Sequence, residues 1–181
     1  METYSDQINT PVGTLEILSS EEEIISVQFI NDPKPIRIDN QTPKILADGK
    51  RQLIEYFDGR RKEFDLKLNP TGTDFQQKVW EEIQKIDFGR TESYLNLARS
   101  YGDEKSIRAV AAANGKNPIA VIIPCHRIIG SNNELTGYAG GIHRKRWLLE
   151  HEFSTVSNTR QGNLFDDVKD HTDQSNKLKT P

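Results

Sequence analysis

The sequence predicts an α+β protein of two consecutive domains, a small α/β unit followed by a mainly helical one, and three observations predict it. Short alternating runs broken by turn residues fill the first third of the chain. The composition then changes at "NPTGT", residues 69–73, which reads as a linker. Beyond the linker come a strongly signalled helix, a short helix, a glycine and a further helix, the outline of a helix-turn-helix. A length of 181 residues suits one large domain or two small ones and buries a core without staples.

The elements follow in order. "TYSDQIN", "TLEILSS" and "EIISVQFI" read as three strands separated by "TPVG" and "SEEE" turn chemistry. Residues 43–58 put Leu46, Leu53, Ile54 and Phe57 on one helical face, with Gly59 as the stop. "EFDLKLN" alternates Phe64, Leu66 and Leu68 and predicts a fourth strand. Residues 1–69 are therefore the first domain and residues 70–153 the second.

In the second domain, Thr73 and Gln76 form a capping-box pattern ahead of a helix carrying Phe75, Val79, Ile83 and Ile86 at helical spacing. "SYLNLARSYG" predicts a short helix ended by Gly102. "DEKSIRAVAAANGKNP" predicts a recognition helix, with acids in its first turn and Gly115 at its end. Its small residues Ala109, Ala111, Ala112 and Ala113 allow close approach, to a groove or to a neighbouring helix. "AVII" reads as an apolar strand ended by Pro124, and "IIGSNNELTGYAGG" as a hairpin turning at "SNNE". A last helix carries Ile142, Leu148 and Leu149. Residues 154–181 are polar and aperiodic, which predicts a disordered tail.

Composition narrows the function classes. Hydrophobic residues are 34% and charged residues 28%, within the globular range. No apolar run approaches the ~20 residues needed to cross a bilayer. The start "METYSDQINT" lacks a basic n-region and an apolar h-region, so no secretory signal is expected and a cytoplasmic location is. The single cysteine rules out an internal disulfide and a multi-thiolate zinc site. The net charge of −3 hides an asymmetry: from Phe88 to His151 nine basic residues face five acidic ones, which points to an anionic partner.

That single cysteine, Cys125, stands in "IPCHRIIG". A free cysteine is commonly a buried small hydrophobe. Here Pro124 is expected to end the strand and expose the residues after it. His126 and Arg127 are nearby cations of the kind that lower a thiol pKa. A cysteine with a histidine in reach is the arrangement of an activated nucleophile. Adjacent residues on an extended segment point opposite ways, however, so His126 acts on the sulfur only through a water or across a turn. An orienting acid is also wanted, and Glu150 and Glu152 both qualify.

Three stretches, "GTDFQQKVWEEIQKIDFGRTESYLNLA", "SIRAVAAANGKNPIAVIIPCHRIIG" and "LTGYAGGIHRKRWLLEHE", closely resemble the O6-alkylguanine-DNA alkyltransferase family. "TPVG" and "LIEYFDGRRKEFDLKL" are similar to its variable N-terminal domain. The resemblance implies a ribonuclease H-like first domain and a winged helix-turn-helix-like catalytic domain. It implies direct-reversal repair: one stoichiometric, suicide transfer of an alkyl group from O6-alkylguanine, with O4-alkylthymine a further candidate, to Cys125.

By the same resemblance His126 deprotonates the thiol through a water and Glu152, not Glu150, orients it. Tyr94 donates toward the flipped guanine and Asn117 organises the active-site turn. Arg108 enters the base stack on a minor-groove helix bearing Ala109 and Ala112, with Arg127 grouped among the DNA-binding cations. Tyr138, Ala139 and Gly140 wall the guanine pocket. No cofactor is implied, and the zinc ligands of some members are missing here. Asn114 departs from the larger apolar residue that some members carry.

Expected partners are double-stranded DNA through the minor groove and no membrane, with the protein a monomer. In the tail, Gln161, Leu164 and Phe165 of "QGNLF" resemble the short motif by which bacterial proteins dock on the sliding clamp. Two competing readings are a thiol-based alkylation- or redox-sensing DNA-binding regulator and a binding module that flags damage. An intact "PCHR" argues against the second.

Overall fold

The computed structural model describes residues 2–33 and 42–157. Three strands, β1 (Tyr4–Thr10), β2 (Gly13–Ser19) and β3 (Ile24–Ile30), form an antiparallel sheet in the order β1-β2-β3. Their alternation sends Ile8, Leu15, Ile17 and Val27 inward, and a register shift opposite Leu18/Ser19 lets Ile24 join them. Helix α1 (Lys44–Phe57) covers that face with Leu46, Leu53 and Tyr56. Leu53 is fully buried, so Leu53→Ala costs about 2–5 kcal/mol in lost transfer energy and cavity.

The fourth strand expected over residues 63–69 does not form. Only Leu68 makes an isolated parallel bridge, to Ile24. Upstream the Gln52 amide brackets Asp65, donating to its carbonyl at 2.9 Å and accepting from its N–H at 2.8 Å. A side chain of α1 thus satisfies the backbone that a neighbouring strand would otherwise pair.

Helix α2 (Asp74–Gln84) starts at the predicted capping box: Gln76 N–H donates to Thr73, and the Gln76 side chain accepts from Thr73 N–H. Helix α3 (Tyr94–Tyr101) ends at Gly102, whose φ of +103° is open to glycine at little cost. A 3-10 turn (Glu104–Ser106) then leads into α4 (Ile107–Gly115). Helices α2, α3 and α4 pack on one another, and Trp80 Nε1 ties α2 to the Ala113 carbonyl of α4 at 2.9 Å. A two-residue parallel pairing of β4 (Glu92–Ser93) with β5 (Ile128–Ile129) lies beside them. Helix α5 (Ile142–Ser157) closes the unit and continues past residue 153, where the polar composition predicts the tail to begin.

Two further expectations give way. The apolar run at 119–123 is not a strand but a buried series of turns; only Ile119 bridges, to Val27 of β3. The hairpin after Ile129 reduces to a turn in which Gly130 N–H donates to Glu134 and Asn133 N–H to Gly130. Ile128 and Ile129 spend their pairing on β4 instead. Among the described residues no helix is long and apolar enough to span a membrane.

Candidate active site

Cys125 opens a 3-10 turn (Cys125–Arg127) immediately after the turns of residues 119–123. Asn117 builds this segment. Its Oδ1 accepts from Ile119 N–H at 3.0 Å, and its Nδ2 donates to the carbonyls of Ile119 and Ile123 at 3.3 and 2.8 Å. The same Nδ2 reaches Cys125 Sγ at 3.0 Å. Val121, between them, sits at φ +71°, a left-handed conformation that costs a β-branched residue on the order of 1–3 kcal/mol. Backbone strain and a fully used amide together fix where the sulfur stands.

The thiol is not exposed: Cys125 is 5% accessible, so Pro124 does not uncover it as the sequence suggests. Burial pushes its pKa up, and the hydrogen bond from Asn117 only partly offsets this. The neighbouring His126 is no cation either. Burial lowers its pKa, against the pull of Glu152, so the ring is neutral at pH 7.

Behind the thiol, Glu152 gathers a buried polar cluster. Its carboxylate accepts from Tyr56 Oη at 2.8 Å, Gly89 N–H at 3.0 Å, and Arg127 Nε and Nη2 at 2.9 and 3.0 Å. His126 Nε2 lies 2.8 Å from Oε1. With the carboxylate as acceptor, Nε2 carries the proton and Nδ1 keeps its lone pair. Burial pushes Glu152 up, but His126 and Arg127 outweigh it and hold the carboxyl well below the usual range. His126 Nδ1 is buried without a hydrogen-bond partner. The 3-10 turn lets these consecutive side chains serve one site, as an extended segment would not. Glu150, the other candidate acid, is exposed.

Arg127 corrects an expectation. It is buried at 6%, paired with Glu152, and bonded to the Ile86 carbonyl. It lies 5.8 Å from the Phe88 ring centroid and is not a DNA-facing cation. Lys145 is a site residue that sequence reasoning misses. It is fully buried, and its Nζ donates to the Ile128 and Thr136 carbonyls at 2.5 and 2.7 Å. Burial lowers its pKa to about 8, opposed by Cys125, the charge-bearing partner it feels. Its signal is the spacing Lys145, Leu148, Leu149, Glu152, which puts all four on the buried face of α5. With two of the nine segment cations buried, less of that positive charge reaches the surface.

A cavity of about 40 Å³ opens onto Cys125. Asn114, Tyr138, Ala139 and Gly140 line it, together with Gln28 and Phe29 of β3. Asn114 Oδ1 and Tyr138 Oη are buried without hydrogen-bond partners. Tyr94 Oη reaches the carbonyls of Thr136 and Gly137 at 3.4 and 3.5 Å, and burial raises its pKa. On the outer side, α4 presents exposed Arg108, Ala109 and Ala112 at helical spacing, while Val110, Ala113 and Asn114 face inward. Ala113 packs inward, while Ala109 and Ala112 stay exposed on the opposite face of the helix. The tail residues Gln161, Leu164 and Phe165 lie outside the described residues.

Known proteins match both halves of the chain. The family described as "6-O-methylguanine DNA methyltransferase, DNA binding domain" matches residues 74–154, and its "ribonuclease-like domain" matches residues 3–70. A methylated-DNA–protein-cysteine methyltransferase of Methanosarcina barkeri is 43% identical over 152 residues, 82% of this chain and 96% of that protein. The constitutive Bacillus subtilis enzyme of that name is 42% identical over 76% of this chain and 87% of its own length. The crystal structure of Mycobacterium tuberculosis O6-methylguanine methyltransferase superposes with a TM-score of 0.76 at 39% identity, covering 85% of this chain and 94% of that one. The Mycobacterium tuberculosis protein has also been solved in complex with DNA, at 40% identity and a TM-score of 0.76, covering 84% and 94%.

Proposed function

The chain belongs to the 6-O-methylguanine DNA methyltransferase family, and we propose that it repairs DNA directly by moving the alkyl group of an O6-alkylguanine onto Cys125. The observation that carries this reading is a buried thiol opening onto a cavity with unpartnered polar atoms, backed by a histidine whose free nitrogen has none either.

The chemistry is one displacement. Cys125 loses its proton through a water to His126 Nδ1, and Glu152 stabilises the imidazolium that results. Lys145 supplies the positive charge that a buried thiolate needs. The sulfur lone pair forms the S–C bond as the C–O6 bond breaks, and the electron pair leaves on guanine. Tyr94 donates toward that growing charge. Asn117 holds the sulfur throughout. The thioether product is stable, so each molecule reacts once.

The target atom lies inside the duplex, so the base is flipped out at a cost of a few kcal/mol of stacking, and Arg108 fills the gap. Ala109 and Ala112 are small enough for a minor groove only ~6 Å wide. Minor-groove contacts carry little sequence information, which suits repair in any context. The remaining parts of this reading are Tyr138, Ala139 and Gly140 as the guanine wall, a monomer at work in the cytoplasm, and docking on the sliding clamp through Gln161, Leu164 and Phe165.

Intact-protein and peptide mass spectrometry after incubation with duplex DNA containing O6-methylguanine tests the reading. One methyl group on Cys125, never more than one per molecule, is the expected result. Unmodified protein beside unrepaired DNA would overturn it.

A further inference from the structure

The walls of the cavity beside Cys125 differ in how firmly they are held. The Cys125 turn is fastened by Asn117, and the inward face of α4 is packed on α2 and α3. A third wall, Gly137, Tyr138, Ala139 and Gly140, has Gly137 and Ala139 exposed to solvent.

What backs that wall comes from the other domain. The Phe29 ring of β3 packs directly on the Gly140 backbone: a Cβ at Gly140 would lie 2.9 Å from Phe29 Cδ2. Arg144 holds the pair together. Its guanidinium lies 4.7 Å from the Phe29 ring centroid, and its Nη1 donates to the Gly140 carbonyl at 2.8 Å. Its Nε donates to the Val12 carbonyl in the β1–β2 turn at 2.8 Å. Phe29 also lines the cavity itself, so its bulk faces the space beside the sulfur.

We infer that Phe29 is the specificity-determining residue for alkyl-group size: the N-terminal sheet, through this ring, limits how far the pocket opens behind the reacting carbon. The inference rests on the proposed transfer to Cys125 and adds to it the residue that selects among O6-alkyl groups. Removing the ring leaves apolar room for a bulky group; enlarging it takes that room away. One or two carbons in an apolar pocket discriminate substrates by about tenfold or more.

The test compares single-turnover transfer from O6-methylguanine and O6-benzylguanine in the same duplex. For Phe29→Ala, the benzyl-to-methyl rate ratio is expected to rise by about tenfold, and for Phe29→Trp to fall by about threefold or more. If Phe29→Ala does not fold, Phe29→Leu serves, with a smaller rise expected. A purely structural Phe29 would slow both substrates alike, so ratios within about twofold of wild type in folded variants overturn the inference. Wild-type protein that moves neither group onto Cys125 would instead overturn the proposed function.

Discussion

The two sides of Cys125 are built on opposite principles. On one side the Glu152 carboxylate accepts hydrogen bonds from Tyr56, Gly89, Arg127 and His126, and its partners come from both domains. On the other, around the cavity, buried polar atoms of Asn114 and Tyr138 have no partner. An unpaired buried polar group costs about 1–3 kcal/mol, so a fold tolerates several together only where something else repays it. The saturated Glu152 carboxylate supplies rigidity; the unpartnered atoms of Asn114, Tyr138 and His126 leave donors and acceptors open around the thiol. Stability and chemistry should therefore respond to different substitutions.

The harshest way to break this division is Glu152→Gln. It leaves the Arg127 charge buried without its counter-ion, and urea unfolding should show a loss of about 3–5 kcal/mol. Acid should approach the same cluster by titration. The folded pKa of Glu152 is depressed, so its stabilisation is present in full above the unfolded value of about 4.3 and is lost as the pH falls through the folded value. His126 acts in the same direction. Its folded pKa lies below 6.5, so the unfolded chain takes up the proton first and stability falls below about pH 6.5. Urea midpoints measured from pH 8 to pH 4 should decline from about 6.5 downward, and a flat profile would contradict the paired cluster.

Lys145→Met removes the cation that the thiol feels. It should slow methyl transfer by about tenfold, because the buried thiolate loses the cation that favours it. The advantage of wild type over this variant should shrink as the pH rises through about 8, where Lys145 gives up its proton. Rapid-quench rates at pH 7 and pH 9 separate that outcome from a general packing defect. Tyr138→Phe should act on stability in the opposite direction to Glu152→Gln: its buried hydroxyl has no partner to lose, so removing it should stabilise the fold by about 1–3 kcal/mol, read as a raised thermal midpoint.

The sequence was most readable where local chemistry decides local structure. Three alternating strands, the Thr73–Gln76 capping box and the Gly102 stop all appear where their residue types demand. It was least readable where tertiary partners decide. Residues 63–69 alternate like a strand, but Gln52 takes part of their backbone pairing, and "AVII" is apolar because it is buried, not because it is extended. The cations misled in the same way. Arg127 and Lys145 read as surface charge, yet Arg127 sits in an unbroken run of buried residues and Lys145 shares a helical face with Leu148 and Leu149. Cys125 and His126 could be picked out by adjacency alone. Glu152 was chosen over Glu150 on a family resemblance, although its spacing from Lys145, Leu148 and Leu149 also places it on the buried face of α5.

Tyr56 belongs to α1, yet its hydroxyl ends on Glu152, ninety-six positions along the chain. A helix of the first domain thereby holds a ligand of the second domain's carboxylate, and neither half can be exchanged for a homologous one without matching that donor. The two halves behave as one heritable unit: a chimera that joined this catalytic half to a first domain with phenylalanine at that position would fold around a carboxylate one hydrogen bond short. In recombination, the seam between the domains is thus a poorer crossover point than its linker composition suggests.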